Sequence, residues 1–369
     1  MIENRVVYKS VFPGKFIQGE GLIAELGEMM NSFGEKGLIL ASSTVKRKVL
    51  DKYSAGYSKS NINIEKFKGE CSEKEINRVM QTAMRNNAGI IAGAGGGKVI
   101  DTAKIVADRL NIPVIIVPTI ASTDAPCSGC AVIYTDDGVF ESVAYQKMNP
   151  QVVLADMNVI AEAPVRFLVA GMGDALATWF EARSCERSKS KNECGGLSSM
   201  AGLALAKLCY DMILEHGVAA KRDCQNKTIT PALYRIVEAN ILLSGIGFES
   251  SGLAAAHAIH NGLSALEETH AYYHGEKVAF GTLTGLHLTG APTDEMDTVY
   301  SFCIETGLPV TLSDIGLGNA TKEELMKAAE KACAPQDSIH HEVGNITPGM
   351  VLNAMIDADE TGRMKIKNK

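Results

Sequence analysis

The sequence predicts an α/β dinucleotide-binding domain, built on a parallel sheet with helices on both faces plus a β-hairpin, followed by an all-helical domain. Three observations carry this. Up to about Asp156, short apolar runs alternate with helical stretches, the pattern of a parallel sheet covered on both faces. One of those runs leads into a turn with four glycines in five positions, Gly93 to Gly97. Beyond Pro164 strand signals nearly vanish, and 369 residues are too many for one ordinary core. The boundary is therefore expected near Pro164, giving domains 1–163 and 164–369.

The predicted strands are "GLILAS" (Gly37 to Ser42), "INIEKF" (Ile62 to Phe67), "GIIAG" (Gly89 to Gly93) and "PVIIVP" (Pro113 to Pro118). A helix between the second and third starts at Ser72, with Glu75 three residues on as a capping box. "KVIDTAKIVADRL" follows the glycines as a helix whose apolar side carries Val99, Ile100, Ala103, Ile105 and Val106. "CAVIY" and "VFESVAY" flank "TDDG" (Thr135 to Gly138) and read as a β-hairpin added to the sheet. From "APVRFLVAGMGDALATWFEARS" onward the chain reads as helix after helix, punctuated at Pro231, Gly245, Gly262, Pro292 and Pro309.

Bulk properties narrow the function. Hydrophobic residues make up 46% and charged residues 21%, a globular composition, and a net charge of −7 argues against nucleic acid or an anionic membrane as main partner. No apolar run reaches the length of a membrane span, and "MIENRVVYKSVFPGKF" lacks the apolar core of a signal peptide. Nine scattered cysteines fit free thiols in a reducing cytoplasm better than a disulfide framework. Cys127 and Cys130 form a single CxxC, weak evidence for zinc or redox work without a second pair.

"GAGGGKVIDTAK" matches neither familiar phosphate pattern. A dinucleotide fingerprint wants a glycine where Lys98 stands, and a P-loop wants Ser or Thr where Val99 stands. Its setting of strand, glycine turn and helix nevertheless suits an anion, because the first amides of the helix and its dipole both face the turn. The plain alternative is a turn that only packs tightly.

Histidines concentrate in the helical half: "HAIHNGLSALEETHAYYHGEK" holds His257, His260, His270 and His274. His257 and His260 share one helical face, which fits either a metal site or polar core positions. Asp174 sits among Gly171, Met172 and Ala175, where an unpaired carboxylate is costly to bury, so it either faces a cation or caps a helix after a glycine.

The stretches "GAGGGKVIDTAK", "PTIASTDAP" (Pro118 to Pro126), "VIYTDDGVFES" (Val132 to Ser142), "DALATWFEARS" (Asp174 to Ser184), "GLAAAHAIHNG" (Gly252 to Gly262) and "HGEKVAFGTL" (His274 to Leu283) together resemble glycerol dehydrogenases over the whole length of the chain. These belong to the iron-containing, or group III, alcohol dehydrogenases. The resemblance implies a dehydroquinate synthase-like architecture and a zinc ion held by Asp174, His257 and His274. Iron-dependent relatives carry a histidine one turn after the aspartate; Thr178 stands there, so three protein ligands leave the ion open to substrate. It also implies Asp124 as a catalytic residue of the substrate pocket. The dinucleotide would be met by Ser42, Gly96, Gly97, Lys98, Asp101, Thr119, Ser122, Ser128, Cys130 and Tyr134. His260 is a partner of the ligands or a proton relay, or else a packed core residue.

The implied reaction is oxidation of glycerol, or a similar vicinal diol, to dihydroxyacetone with hydride transfer to NAD. A small polyol substrate, other copies of the chain as assembly partners and a cytoplasmic location complete the expectation. Two rivals remain open. Another enzyme of the superfamily, such as a second polyol or glycerol-1-phosphate dehydrogenase or a dehydroquinate synthase-like lyase, is disfavoured for phosphorylated substrates because the helical motifs offer Lys277 and little else basic. The second rival is a non-catalytic sensor binding zinc and dinucleotide. One departure stands out: glycerol dehydrogenases typically place an aspartate where this chain has Ser42. An acidic side chain there repels the 2′-phosphate of NADP. With Lys46, Arg47 and Lys48 following, NADP is expected to be accepted beside NAD.

Overall fold

The computed structural model describes residues 6–57 and 61–367, so the first five residues of the N-terminal stretch read above lie outside the described residues. Among the described residues there are eight strands: β1 (Phe16–Gly19), β2 (Lys36–Ala41), β3 (Asn61–Lys66), β4 (Ile90–Gly95), β5 (Val114–Pro118), β6 (Cys130–Tyr134), β7 (Phe140–Tyr145) and β8 (Val152–Asp156). Six of them form one sheet in the order β1-β8-β5-β4-β2-β3, with parallel pairing throughout.

Alternation of side chains builds two helix-covered faces. Leu38 and Leu40 of β2 point to a core shared with Ile76 and Val79 of the helix Glu73–Arg85 and with Ile100 and Ala103 of the helix Gly97–Leu110. Ile39 and Ala41, one residue out of step, join Ile23, Leu26 and Met30 on the other face. β4, β5 and β8 are buried along their whole length, as central parallel strands must be. The four predicted strands are all present. β1 and β8 were not anticipated: β1 is a four-residue edge strand with polar Gln18 inside it, too short to show a period.

Three expectations need correction. The hairpin of β6 and β7 forms a separate two-stranded antiparallel sheet rather than extending the main one. It is tied to the main domain by the Tyr134 amide, which donates to the Cys71 carbonyl at 2.8 Å, and by Asp101 Oδ2, which accepts from the Val132 amide at 3.0 Å. At Ser72 only half of the capping box forms. The Ser72 hydroxyl accepts from the Glu75 amide, while the Glu75 carboxylate turns to the Lys68 amide and to Arg78. Finally, Gly245 interrupts no helix, whereas Gly262 stands one residue before a helix end, as expected. They lie within the helices Ser244–Ser251 and Ala255–Leu263, where a Cβ on Gly262 would come 2.2 Å from the Ala328 carbonyl oxygen.

After β8 the described chain is helical apart from its connections. The helix Val165–Ser188 is its axis, and the helix His274–Leu288 crosses it at backbone distance, since a Cβ on Gly275 would sit 1.8 Å from the Ala170 oxygen. That contact sets His274 beside Asp174. Between the helices Pro231–Glu238 and Ser244–Ser251 runs a π-helical turn, Ala239–Leu243, of the kind that often marks functional sites. No helix among the described residues is long and apolar enough to cross a membrane.

Candidate active site

The sheet opens a cleft where its strand order reverses. The chain leaves β2 for β3 on one side and returns to β4 on the other, and ligands of open α/β sheets bind outside the carboxyl ends of strands at such a reversal. A cavity of about 780 Å³ lies there, lined by Ser42, Lys66, Lys68, Gly96, Gly97 and Lys98 among others.

The four glycines of the turn divide by purpose. A Cβ on Gly93 would meet that of Ala103 at 2.6 Å, and one on Gly95 would meet Val99 at 2.9 Å, so these two allow the helix Gly97–Leu110 to lie on its strand. Gly97 has nothing within 4 Å of its Cβ direction and, with Gly96, borders the cavity. The packing and anion-binding readings of the turn thus fall on different glycines.

Ser42 caps the helix Ser43–Lys48 by accepting from the Val45 amide, and it lines the cavity. Lys98 reaches Glu70 at 2.6 Å and lies over the Tyr134 ring. The structure does not turn every expected cofactor residue to the cavity. The Asp101 carboxylate faces the Val132 amide and the Lys104 ammonium; burial pushes its pKa up and Lys104 pulls against that. The Ser128 hydroxyl and the Cys130 carbonyl surround that same ammonium. The Thr119 amide is bonded to the Gly95 carbonyl, and Ser122 lies half-buried in the following loop. Lys104 itself is fully buried, donating to the carbonyls of Ala125 at 2.9 Å, Ser128 at 3.3 Å and Cys130, so the loop after β5 is wound around its charge.

That loop carries Asp124 to a second centre. Asp174, His257 and His274 converge so that one ligand atom from each lies within 4.8 Å of the others. Asp174 is in mid-helix and 1% exposed, which excludes the cap reading. Its Oδ1 lies 3.0 Å from His274 Nε2 and 3.5 Å from His257 Nε2. Burial alone would raise its pKa, but His274 and His257 outweigh burial and hold it well below the usual range.

Each histidine has a partner on its far nitrogen. Glu181 Oε2 lies 2.6 Å from His257 Nδ1, while Glu181 Oε1 accepts from the backbone amides of Ala254 and His257 at 2.9 Å each. Burial would lower the His257 pKa, yet Glu181 and Asp174 lift it well above the ordinary value. His274 Nδ1 meets His260 Nε2 at 3.0 Å. His260 is therefore behind the cluster rather than in it.

With Nδ1 of each ring engaged on its outer side, both Nε2 atoms are turned to the buried Asp174 Oδ1, where a metal ion would take the place of any ring proton. Two imidazole nitrogens and a carboxylate oxygen facing one another are reconciled by a cation, and this donor set suits zinc. Thr178 does not join them; its hydroxyl bonds to Ser244 at 2.9 Å.

Around Asp124 the π-helical turn and the first residue of the helix after it supply the hold. The Ser244 hydroxyl donates to Asp124 Oδ2 at 2.8 Å, and Asn240 donates to the carbonyls of Ala121 and Leu168 at 3.0 and 3.1 Å. The Asp124 amide points to Asp174 Oδ2 at 3.4 Å. Burial first, and the Asp174 charge second, push the Asp124 pKa well above the usual range. Sequence reasoning missed Glu181, Asn240 and Ser244.

Comparison with known proteins places the chain among alcohol dehydrogenases. Residues 13–157 match the family model described as iron-containing alcohol dehydrogenase. A glycerol dehydrogenase of Thermotoga maritima is 51% identical over 98% of this chain and 99% of its own. A glycolaldehyde reductase of Halobacterium salinarum is 42% identical over 97% of this chain and 98% of its own. The crystal structure of a glycerol dehydrogenase from Schizosaccharomyces pombe superposes with a TM-score of 0.93 at 36% identity, covering 98% of this chain and 93% of that one. With such identity along nearly its full length, this chain belongs to the iron-containing alcohol dehydrogenase family.

Proposed function

We propose that this protein is a zinc-dependent glycerol dehydrogenase that oxidises glycerol and similar vicinal diols to dihydroxyacetone with NAD as hydride acceptor. The observation that carries the reading is the convergence of Asp174, His257 and His274 within 4.8 Å, next to the Asp124 loop and one strand away from a glycine-walled cleft. Support among relatives comes from the 51% identical glycerol dehydrogenase of Thermotoga maritima. Residues 1–163 would form the dinucleotide-binding domain and 164–369 the domain that holds metal and substrate.

Asp174, His257 and His274 would hold the zinc, which when bound supplies a Lewis acid beside the reacting hydroxyl, while NAD supplies the hydride acceptor. Gly96, Gly97 and the first amides of the helix Gly97–Leu110 would receive the pyrophosphate, with Lys98 and Ser42 on either side. Thr119, Ser122 and Tyr134 would line the path of the dinucleotide, with Asp101, Ser128 and Cys130 supporting it from the Lys104 side. Ser244 holds one Asp124 oxygen, leaving the other to accept a hydrogen bond from a diol hydroxyl and orient it.

A substrate phosphate finds little to bind here. Lys277 is buried and donates to the Ser264 hydroxyl at 2.7 Å, which argues against glycerol-1-phosphate. The Halobacterium salinarum relative, named for reducing glycolaldehyde, points to the same chemistry run in reverse on a shorter hydroxycarbonyl. A cytoplasmic location and assembly from copies of the chain accompany this reading.

The decisive assay is steady-state reduction of NAD with glycerol, 1,2-propanediol and ethanol, and oxidation of NADH with dihydroxyacetone and glycolaldehyde. Two neighbouring oxygens fix the reacting carbon better than one, so kcat/KM for glycerol should exceed that for ethanol by about a hundredfold or more. Comparable efficiency on both alcohols contradicts the proposal.

A further inference from the structure

His260 lies outside the cluster of Asp174, His257 and His274 yet touches one of its members, and its surroundings dictate where its proton sits. Asn261, exposed on the same helix, directs its side-chain Nδ2 at both oxygens of Asp337, at 3.3 and 3.2 Å. A carboxylate accepts only, so the amide group of Asn261 must present its nitrogen there and its Oδ1 to the other side. That oxygen lies 3.1 Å from His260 Nδ1, which must therefore be the protonated nitrogen. His260 Nε2 is then an acceptor, and it faces His274 Nδ1 at 3.0 Å and the Ser264 hydroxyl at 3.4 Å. Lys277 donates to Ser264 from behind and leaves the serine proton free to point at His260 as well. Each step removes one ambiguity of the next, and the series ends on His274, whose proton is fixed on Nδ1 and whose Nε2 lone pair lies 3.0 Å from Asp174 Oδ1. The reverse arrangement would set the Asn261 oxygen against the Asp337 carboxylate.

We propose that His260 is a positioning residue, fixed by the Asp337–Asn261 pair in its Nδ1-protonated form, and that it holds His274 in the tautomer and ring orientation that ligates the metal. This rests on the zinc reading above. A histidine ligand with its far nitrogen engaged is a stronger and better-aimed ligand, and loss of such a partner typically weakens metal binding 10- to 100-fold. The two imidazoles are thus steered differently, His257 by the Glu181 carboxylate and His274 by a neutral ring whose state is set two residues away.

The test compares His260→Leu, which fills the space without an acceptor, with His260→Gln, whose amide oxygen can accept from His274 Nδ1. Zinc affinity is measured on the full chain by competition with a chromophoric chelator, and thermal unfolding is followed on the metal-stripped proteins. The expected result is zinc binding about 10- to 100-fold weaker in His260→Leu and within about threefold of wild type in His260→Gln, with similar unfolding midpoints for both. Asn261→Ala, at an exposed position, should also loosen zinc and provides the answer should His260→Leu not fold. Wild-type affinity in His260→Leu or Asn261→Ala, or an equal loss in His260→Leu and His260→Gln, overturns the proposal. A wild-type protein that takes up no zinc in the same titration overturns the metal reading itself, so the two failures are told apart.

Discussion

Glu181 grips His257 at both ends of a single contact, one carboxylate oxygen 2.6 Å from the ring Nδ1 and the other receiving the amide of the same residue at 2.9 Å. The first oxygen fixes the ring and the second, which also takes the Ala254 amide, caps the start of the helix Ala255–Leu263. Glutamine cannot replace both acceptors, because its nitrogen must face either the ring N–H or the helix amides. Glu181→Gln should therefore weaken zinc binding about 10- to 100-fold. Glu181→Ala leaves buried donors without partners and should lower stability by about 2–4 kcal/mol. Chelator competition and chemical denaturation check the two; unchanged zinc affinity in Glu181→Gln would dismiss the orienting role.

Asp174→Asn, His257→Ala and His274→Ala should each lose zinc and turnover together while the fold persists, because their ligand atoms occupy one 4.8 Å cluster and act as a unit. Elemental analysis alongside circular dichroism decides this, and full occupancy with full activity in any one of them would remove that residue from the site.

The metal-stripped protein should lose stability as pH rises. The folded His257 binds its proton more tightly than the unfolded chain does, since the pull of Glu181 and Asp174 exceeds the opposing effect of burial. A raised folded pKa contributes stability in full below the unfolded value of about 6.5, and the contribution fades as pH climbs through the folded value. Zinc competes with that proton, so its affinity should increase over the same range. Unfolding midpoints of chelator-treated protein should fall from about pH 6.5 upward, and His257→Ala should flatten the slope. A midpoint independent of pH in wild type contradicts the assignment.

Cofactor choice should turn on Ser42. Of the basic residues expected to help, Lys46 instead pairs with Asp51 at 2.8 Å, and Lys46, Arg47 and Lys48 do not line the cleft. Lys66 and Lys68, at the end of β3, do line it, and among the described residues neither has an ion-pair partner. A 2′-phosphate there would lie among lining residues that include Lys66 and Lys68 and no acidic residue. NADP should be used within about tenfold of NAD, Ser42→Asp should shift the preference toward NAD by about tenfold, and Lys66→Ala with Lys68→Ala should depress NADP use selectively. Kinetics with both cofactors settle it: a wild type that ignores NADP, or a Ser42→Asp variant with unchanged preference, counts against the idea.

The alternation of apolar runs and helices made the two-faced sheet legible, because segments such as Ile39 to Ala41 in β2 and Ile115 to Val117 in β5 are apolar without a break, as strands covered on both faces are. The cluster was legible through motif resemblance more than through spacing. The spacing of His257 and His260 suggested a pair on one face, whereas His260 stands behind His274 with ring centroids 4.2 Å apart. Nothing local in the sequence announces that: His274 is docked by the close approach of Gly275 to Ala170, a contact between distant segments. Glu181 did leave a signal, lying seven residues after Asp174 on one helix and hence on the same face. Asn240 and Ser244 left none, since a π-helical turn has no sequence period, and Asn240 within it and Ser244 just after it both bond to a loop more than a hundred residues earlier.

The ammonium of Lys104, ringed by the carbonyls of Ala125, Ser128 and Cys130, makes the loop beyond Asp124 resemble a macrocycle closed around an ion that the chain carries within itself. Such an ion is covalently tethered, so neither dialysis nor a chelator can remove it. Stripping the metal should therefore leave the loop beside Asp124 standing. The Asp124 side would be shaped during folding, ahead of any ligand, and a diol arriving there would need to order very little of the protein around it.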